Sequence, residues 1–234
     1  MRRLMVALFL LVLAPLALQA QPGRAIKLQA TRNTRDVGGL PVSYGTVRKG
    51  MLYRSGALCF LTGQDVSRMR ELKLKTILDL RNSSEIRKDG PDRPALTEGV
   101  RVLHLPMANS RGLRREAYHY YIRENPHVWR GFYAELARVQ AYPMLFHCSA
   151  GKDRTGILTA VLLEQLGAER RVVLDDYLQS VRNSPGLEVH PEWIQEVFDY
   201  VDASGGASAF LVKNGVSLQT QQAARDILVE RKVP

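Results

Sequence analysis

Short apolar runs separated by polar stretches rich in glycine and proline mark the strands of this chain, and longer periodic stretches mark its helices. After a polar lead-in over residues 21–31, Asn33 to Pro41 carries loop punctuation, and Gly38-Gly39 admits positive φ. Thr46 to Arg54 mixes β-branched and aromatic residues around Gly50 and predicts a short hairpin. Thr62 with Asp65 has capping-box spacing and starts a helix running to about Leu72. Lys75 to Arg81 is the clearest strand and ends in charged residues. Asn82 to Pro94 reads as a loop or short helix, and Val100 to Leu105 as a second strand stopped by Pro106. A helical region from about Arg114 to Val139 is interrupted near Asn125-Pro126, with Trp129, Phe132, Leu136 and Val139 on one face.

Met144-Leu145-Phe146 reads as a buried strand, and Ile157 to Leu166 as a core helix ending at a C′ glycine, Gly167. Further helices are predicted over Arg170 to Val181, Pro191 to Val201 and Ser217 to Arg231. Their joints are Asn183-Ser184-Pro185-Gly186, Ser204-Gly205-Gly206 and Asn214-Gly215. Strands alternating with helices, then a helical C-terminal third, predict an α/β fold with a mostly parallel central sheet flanked by helices.

The start of the chain changes the picture. Arg2 and Arg3 precede an apolar stretch from Leu4 to Leu18, and Gln19 and Gln21 flank Ala20. That is the grammar of a secretory signal peptide, and the stretch is short for a spanning helix. Residues 1–20 are therefore expected to be a signal peptide, with an uncleaved N-terminal anchor as the other reading. Residues 21–234 are expected to form a single domain of a bacterial protein exported to the periplasm or secreted. The formal charge of +10 falls to +8 once Arg2 and Arg3 are removed. Such an excess favours phosphorylated substrates or peripheral contact with an anionic membrane surface. It is spread along the chain with no basic-aromatic stripe, which argues against nucleic acid. Of the two cysteines, Cys59 reads as a small buried hydrophobe in an apolar segment. A reversible Cys59–Cys148 pair is the sharper alternative.

The candidate chemistry is concentrated in His147-Cys148-Ser149-Ala150-Gly151-Lys152-Asp153-Arg154-Thr155-Gly156. A cysteine opens a loop between a strand and a helix N-terminus, and an arginine six positions on closes it. Backbone N–H groups at such a turn, together with the helix dipole, suit an oxyanion and favour a thiolate. An arginine can fork onto two phosphate oxygens. Nucleophile, anion cradle and clamp thus share one loop, which points to cysteine-dependent phosphatase chemistry.

This loop resembles the phosphate-binding loop of cysteine-based protein tyrosine and dual-specificity phosphatases. Its Lys152-Asp153-Arg154 version is similar to a secreted bacterial branch typified by the mycobacterial tyrosine phosphatase B, which includes enzymes acting on phosphoinositides. Asn33 to Gly39, Leu52 to Gly56, Leu78 to Arg81 and Asp176 to Ser180 resemble flanking segments of that branch, as does the glycine-rich joint before Ala209-Phe210-Leu211. The resemblance implies a phosphatase fold, no cofactor and no metal, and phosphorylated protein or phosphoinositide as substrate. It implies a phosphocysteine on Cys148, with Arg154 and the loop from Ser149 through Ala150 and Gly151 holding phosphate oxygens. Thr155 would then assist the departing thiolate, and His147 would be a buried orienting residue.

The general acid of the wider family lies after a strand like Val102 to Pro106, where this chain has Asn109, which cannot donate a proton usefully. Asp153 becomes the first candidate and Asp79 the second. Lys152 is expected at the pocket rim, where a second phosphate of a substrate could sit. A catalytically silent phosphate- or phosphoinositide-binding module on the same fold is the alternative function.

Overall fold

The computed structural model describes residues 23–108 and 114–231. The expected signal peptide and Asn109 lie outside the described residues. Strands β1 (Arg35–Asp36), β2 (Pro41–Val42), β3 (Gly45–Val47) and β4 (Leu52–Ser55) come first, followed by α1 (Gly63–Arg70) and β5 (Thr76–Asp79). Next come α2 (Ser83–Asp89), α3 (Pro94–Thr97), β6 (Arg101–His104), α4 (Arg114–Arg123) and α5 (Pro126–Leu136). Strand β7 (Met144–His147) leads into α6 (Asp153–Gln165), and then α7 (Arg170–Asn183), α8 (Pro191–Ala203), α9 (Ala207–Lys213), α10 (Leu218–Leu228) and β8 (Val229–Arg231) follow.

The main sheet has the order β1-β4-β7-β5-β6. Its last four strands run parallel, and β1 lies antiparallel on β4. Strand β7 is central and buried along its whole length, as a strand covered by helices on both faces must be. Side-chain alternation divides the sheet between two cores. Leu52, Leu78, Met144 and Phe146 face the larger one, which takes in α4 to α10. Tyr53, Ile77 and Leu145 face a smaller one with Val66 and Met69 of α1 and Leu96 of α3. The predicted fold class is the observed one. At the sheet edge β6 is largely exposed, with Val102 open to solvent. Among the described residues no helix is long and apolar enough to cross a membrane.

Four local expectations need correction. Thr46 to Arg54 is no hairpin: β3 pairs with β2 and β8 in a separate three-stranded sheet, whereas β4 pairs with β1 and β7. The crossing between sheets is held by the Asp36 carboxylate, which accepts the N–H groups of Gly38 and Gly50, both at 2.7 Å. Val139 is exposed, because α5 ends at Leu136 and the chain turns before β7. The last predicted helix stops at Leu228, and Val229–Arg231 becomes a strand on β3. Finally, Ala207–Lys213 forms a helix between two glycine joints that mark only its ends.

The capping box forms as predicted: Thr62 accepts from the Asp65 N–H, and Asp65 accepts from the Thr62 N–H. Asp65 also accepts the N–H groups of Gln29 and Ala30, tying the N-terminal segment to α1. Burial opposes its charge, but these backbone donors outweigh burial and hold the carboxyl below its ordinary value. Asp65→Ala strands three backbone donors and is expected to cost about 2–3 kcal/mol in a urea titration. A depressed carboxylate stabilises fully above the unfolded pKa and loses that contribution as pH falls through the native one. The gap between wild type and variant should therefore shrink below about pH 4.

Candidate active site

The site sits where β7 gives way to α6, at the C-terminal edge of the parallel strands. Cys148 follows the last residue of β7, and Asp153 opens α6. Gly151 takes φ +65°, and a Cβ there would lie 2.5 Å from the Gly56 nitrogen and the Ser55 carbonyl carbon. Only glycine lets the loop pack this closely on the end of β4.

Three of the loop carbonyls, those of Ser149, Gly151 and Lys152, are engaged by donors of the surrounding fold and of α6. The Ser149 carbonyl accepts the Ala57 N–H at 3.0 Å, and the Lys152 carbonyl accepts the Gly156 N–H at 2.8 Å. The Gly151 carbonyl accepts from Asn33 Nδ2 at 2.7 Å and from Arg54 Nη2 at 2.9 Å. Among the described residues no acceptor takes the N–H groups of Ser149, Ala150, Gly151 or Lys152. A ring of unengaged donors at a helix N-terminus is an anion cradle.

The Cys148 thiol is buried and accepts a hydrogen bond from Thr155 Oγ1 at 3.1 Å. Burial works against ionisation, but the Arg154 guanidinium and the Thr155 hydroxyl and N–H outweigh it, so the thiol titrates below its ordinary value. Arg154 is held by Glu85 in a fork, Nη1 to Oε2 at 2.7 Å and Nη2 to Oε1 at 2.6 Å, with Nη1 also on the Leu80 carbonyl. Glu85 Oε1 accepts from Ser149 Oγ at 2.6 Å, and Oε2 accepts the Asn82 N–H at 2.9 Å. Burial raises its proton affinity, but the Arg154 bonds dominate and bring the carboxyl down to about 2.

Two buried ionic clusters lie beneath the loop. In one, Asp176 meets Arg24, Arg35 and Arg54, all at most 5 % exposed, so three cations share one carboxylate. Burial opposes the Asp176 charge, but the three guanidiniums hold its carboxyl far below the usual range. In the other, His147 Nε2 lies 3.0 Å from Asp92 Oδ2, and Arg81 bridges Asp79 and Asp92. Burial disfavours the imidazolium, yet Asp92 and then Asp79 outweigh it and raise His147 above its ordinary value. Asp79, Asp92 and His147 bring ligand-type atoms within 4.8 Å of one another, but the Arg81 guanidinium already binds both carboxylates and occupies the cation's place.

The geometry sorts the residues singled out above. Cys148, Ser149, Ala150, Gly151, Arg154 and Thr155 all belong to the cup. Asp79 does not: it accepts Arg81 Nε and Nη2 at 3.0 and 2.8 Å and is 4 % exposed, a structural anchor under the sheet end. Asp153 is half-buried at the mouth, where Tyr118 donates to its Oδ1 at 2.5 Å. Lys152 is not at an open rim. It is buried, with Nζ donating to the Glu188 carbonyl at 2.8 Å, 3.4 Å from Asp153 Oδ1 and over the Trp193 ring. Cys59 is half-buried rather than a core residue and accepts from Arg81 Nη1 at 3.4 Å; both cysteines are free thiols. Sequence reasoning missed Glu85, Asp92 and Tyr118. For Glu85 a signal existed, since Asn82 and Glu85 have capping-box spacing and form that box.

An oxyanion cradle, a thiol primed to ionise and a fixed guanidinium on a parallel α/β sheet define a cysteine-type phosphatase. The sequence model of the tyrosine phosphatase family matches residues 26–230, and the chain belongs to that family. A tyrosine-protein phosphatase of Cupriavidus necator is 30% identical over 185 residues, covering 71% of this chain and 67% of that one. The triple specificity protein phosphatase PtpB of Mycobacterium tuberculosis is 29% identical over 214 residues, covering 74% and 75%. Among solved structures, TpbA of P. aeruginosa aligns with a TM-score of 0.40 at 20% identity, covering 74% of this chain and 91% of that one. The core catalytic domain of a PP-IP phosphatase from S. cerevisiae aligns with a TM-score of 0.43 at 22% identity, covering 65% and 83%.

Proposed function

We propose that this protein is an exported phosphomonoesterase that acts through a phosphocysteine on Cys148, with phosphorylated protein as its substrate. The Cys148 thiolate attacks phosphorus, and the S–P bond forms as the bond to the leaving oxygen breaks. Arg154 and the loop N–H groups hold the three equatorial oxygens. Asp153 gives its proton to the leaving oxygen and then takes one from the water that cleaves the S–P bond. The Thr155 hydroxyl steadies the thiolate as it departs. The observation that carries this reading is the Thr155 Oγ1 contact on Cys148 Sγ at 3.1 Å, beside a run of loop N–H groups that no acceptor among the described residues takes.

Aromatic side chains support an aryl phosphate as substrate. Tyr118 packs edge-on against Tyr121 with ring centroids 6.5 Å apart, and Tyr121 lies close enough to act on the Arg154 charge. The names of the relatives support protein substrates, tyrosine phosphate among them. Lys152, which suggested a second phosphate, is engaged by the Glu188 carbonyl, so phosphoinositide becomes the comparison substrate.

The test is turnover of an aryl phosphate by the mature protein. Wild type is expected to turn over and Cys148→Ser to lose activity by about 10⁴-fold or more. An inactive wild type would favour the silent phosphate-binding module, and an active Cys148→Ser would end the phosphocysteine mechanism. Phosphotyrosine peptides assayed beside phosphoinositide vesicles, with co-sedimentation on anionic vesicles, then rank the substrates and the membrane contact. Export predicts a mature chain beginning at Gln21, read by N-terminal sequencing of the secreted or periplasmic protein.

A further inference from the structure

Asp153 does not stand alone at the mouth of the cup. Tyr118 of α4 reaches it from one side, its phenol 2.5 Å from Oδ1, and Tyr177 of α7 stands behind, its hydroxyl 2.6 Å from that of Tyr118. Tyr118 donates its one hydroxyl hydrogen to Asp153, so Tyr177 in turn donates to Tyr118. The chain of donors runs from α7 through α4 to the first residue of α6. Lys152 Nζ adds a cation 3.4 Å from the same Oδ1. One carboxylate oxygen is thus fastened from two directions, and no donor among the described residues holds Oδ2.

Tyr118 has little freedom to leave this position. It is 1 % exposed, and its ring is set against Tyr177 at 6.1 Å and Trp193 at 6.0 Å. Burial, and then the Asp153 charge, push its phenol well above the ordinary value, so it remains a donor wherever the protein works. Besides Tyr118 and Lys152, the charged or titratable groups around this corner include Cys148, Arg154, Tyr177 and, through Tyr177, Arg54 and Glu192.

We propose that Tyr118 is the positioning residue of the proton donor: it holds Asp153 Oδ1 so that Oδ2 presents the proton to the leaving oxygen. The inference rests on the reading of Asp153 as the general acid. As the S–P bond forms and the P–O bond breaks, the proton passes from Oδ2 to the departing oxygen. The negative charge left on the carboxylate is met at Oδ1 by the Tyr118 O–H.

Tyr118→Phe removes one hydroxyl and keeps the ring that packs α4. Without the donor Asp153 is no longer held in register with the leaving oxygen, so the alkaline limb of the kcat–pH profile should move. Turnover of an alkyl phosphate should fall about tenfold, and that of p-nitrophenyl phosphate, whose leaving group needs little protonation, by much less. Tyr177→Phe, which leaves the Tyr118–Asp153 bond in place, should move the limb less. A purely structural role would alter stability without moving the limb. If Asp153→Asn abolishes the limb while Tyr118→Phe leaves both the limb and the leaving-group dependence unchanged, the positioning role is overturned and the acid stands. If Asp153→Asn keeps the limb, the acid assignment falls and the proposal with it.

Discussion

Arg154→Lys is expected to lower kcat/KM on an aryl phosphate by about 10³-fold or more, the scale on which a transition-state arginine acts in phosphoryl transfer. The charge is conserved in this substitution, so the loss isolates geometry. Glu85 and the Leu80 carbonyl engage Nη1 and one edge of Nη2 and lock the guanidinium plane. That leaves Nε–H and the second Nη2–H as a fixed pair with no partner among the described residues, a fork that matches two oxygens of a phosphoryl group. An ammonium at that position is a point charge with no second donor in a fixed relation to the first. Because Glu85 is held at about 2, its carboxylate remains charged at every pH where the thiolate could act, and the lock does not titrate away. Steady-state kinetics of Arg154→Lys beside a thermal melt is the measurement. A drop below tenfold with unchanged melting would mean that charge alone does the work of the fork.

The parts legible in the sequence are those whose signal is local. A capping residue and its partner three positions on, an apolar run of strand length, and a cysteine and arginine framing a glycine all lie within one turn or one loop. So α1, β5, β7 and the cup of residues 148–155 were all readable. Glu85 lay within the same reach, in a box with Asn82, but nothing in the pattern tells which helix cap will also face an arginine 69 positions away. The hairpin failed for a related reason. Residues suited to strands pair where topology brings a partner, and β3 found β8 from the far end of the chain. The sequence ranked Asp153 ahead of Asp79, but it could not show the surroundings of either. Each has an arginine one or two positions on, and only the fold shows that Asp79 turns under the sheet onto Arg81 while Asp153 opens toward solvent and Tyr118.

Another long-range pairing, the Asp176 cluster, should show the largest loss of stability. Asp176→Asn is expected to destabilise the protein by about 3–5 kcal/mol, the cost of leaving buried charge without its partner. For a chain of this size that lowers the melting temperature by about 10 °C. Asparagine keeps the shape and one acceptor oxygen, so packing changes little. What is lost is the single negative charge among Arg24, Arg35 and Arg54, with side chains 5, 0 and 0 % exposed. Even with Asp176 ionised the group carries an excess of cations, and Arg54 Nε has no partner among the described residues. Activity should fall along with stability even well below the melting temperature, because Arg54 Nη2 also fixes the Gly151 carbonyl and thereby the curl of the loop. The pH dependence separates charge from packing. A carboxylate held far below its ordinary value stabilises fully above the unfolded pKa, about 3.9, and loses that contribution as pH falls toward the native one. The stability gap between wild type and Asp176→Asn should therefore be constant near neutrality and close progressively in acid. A gap that stayed constant down to pH 2 in denaturant titrations would assign the loss to packing, and the arginines would then be tolerating one another without the aspartate's charge.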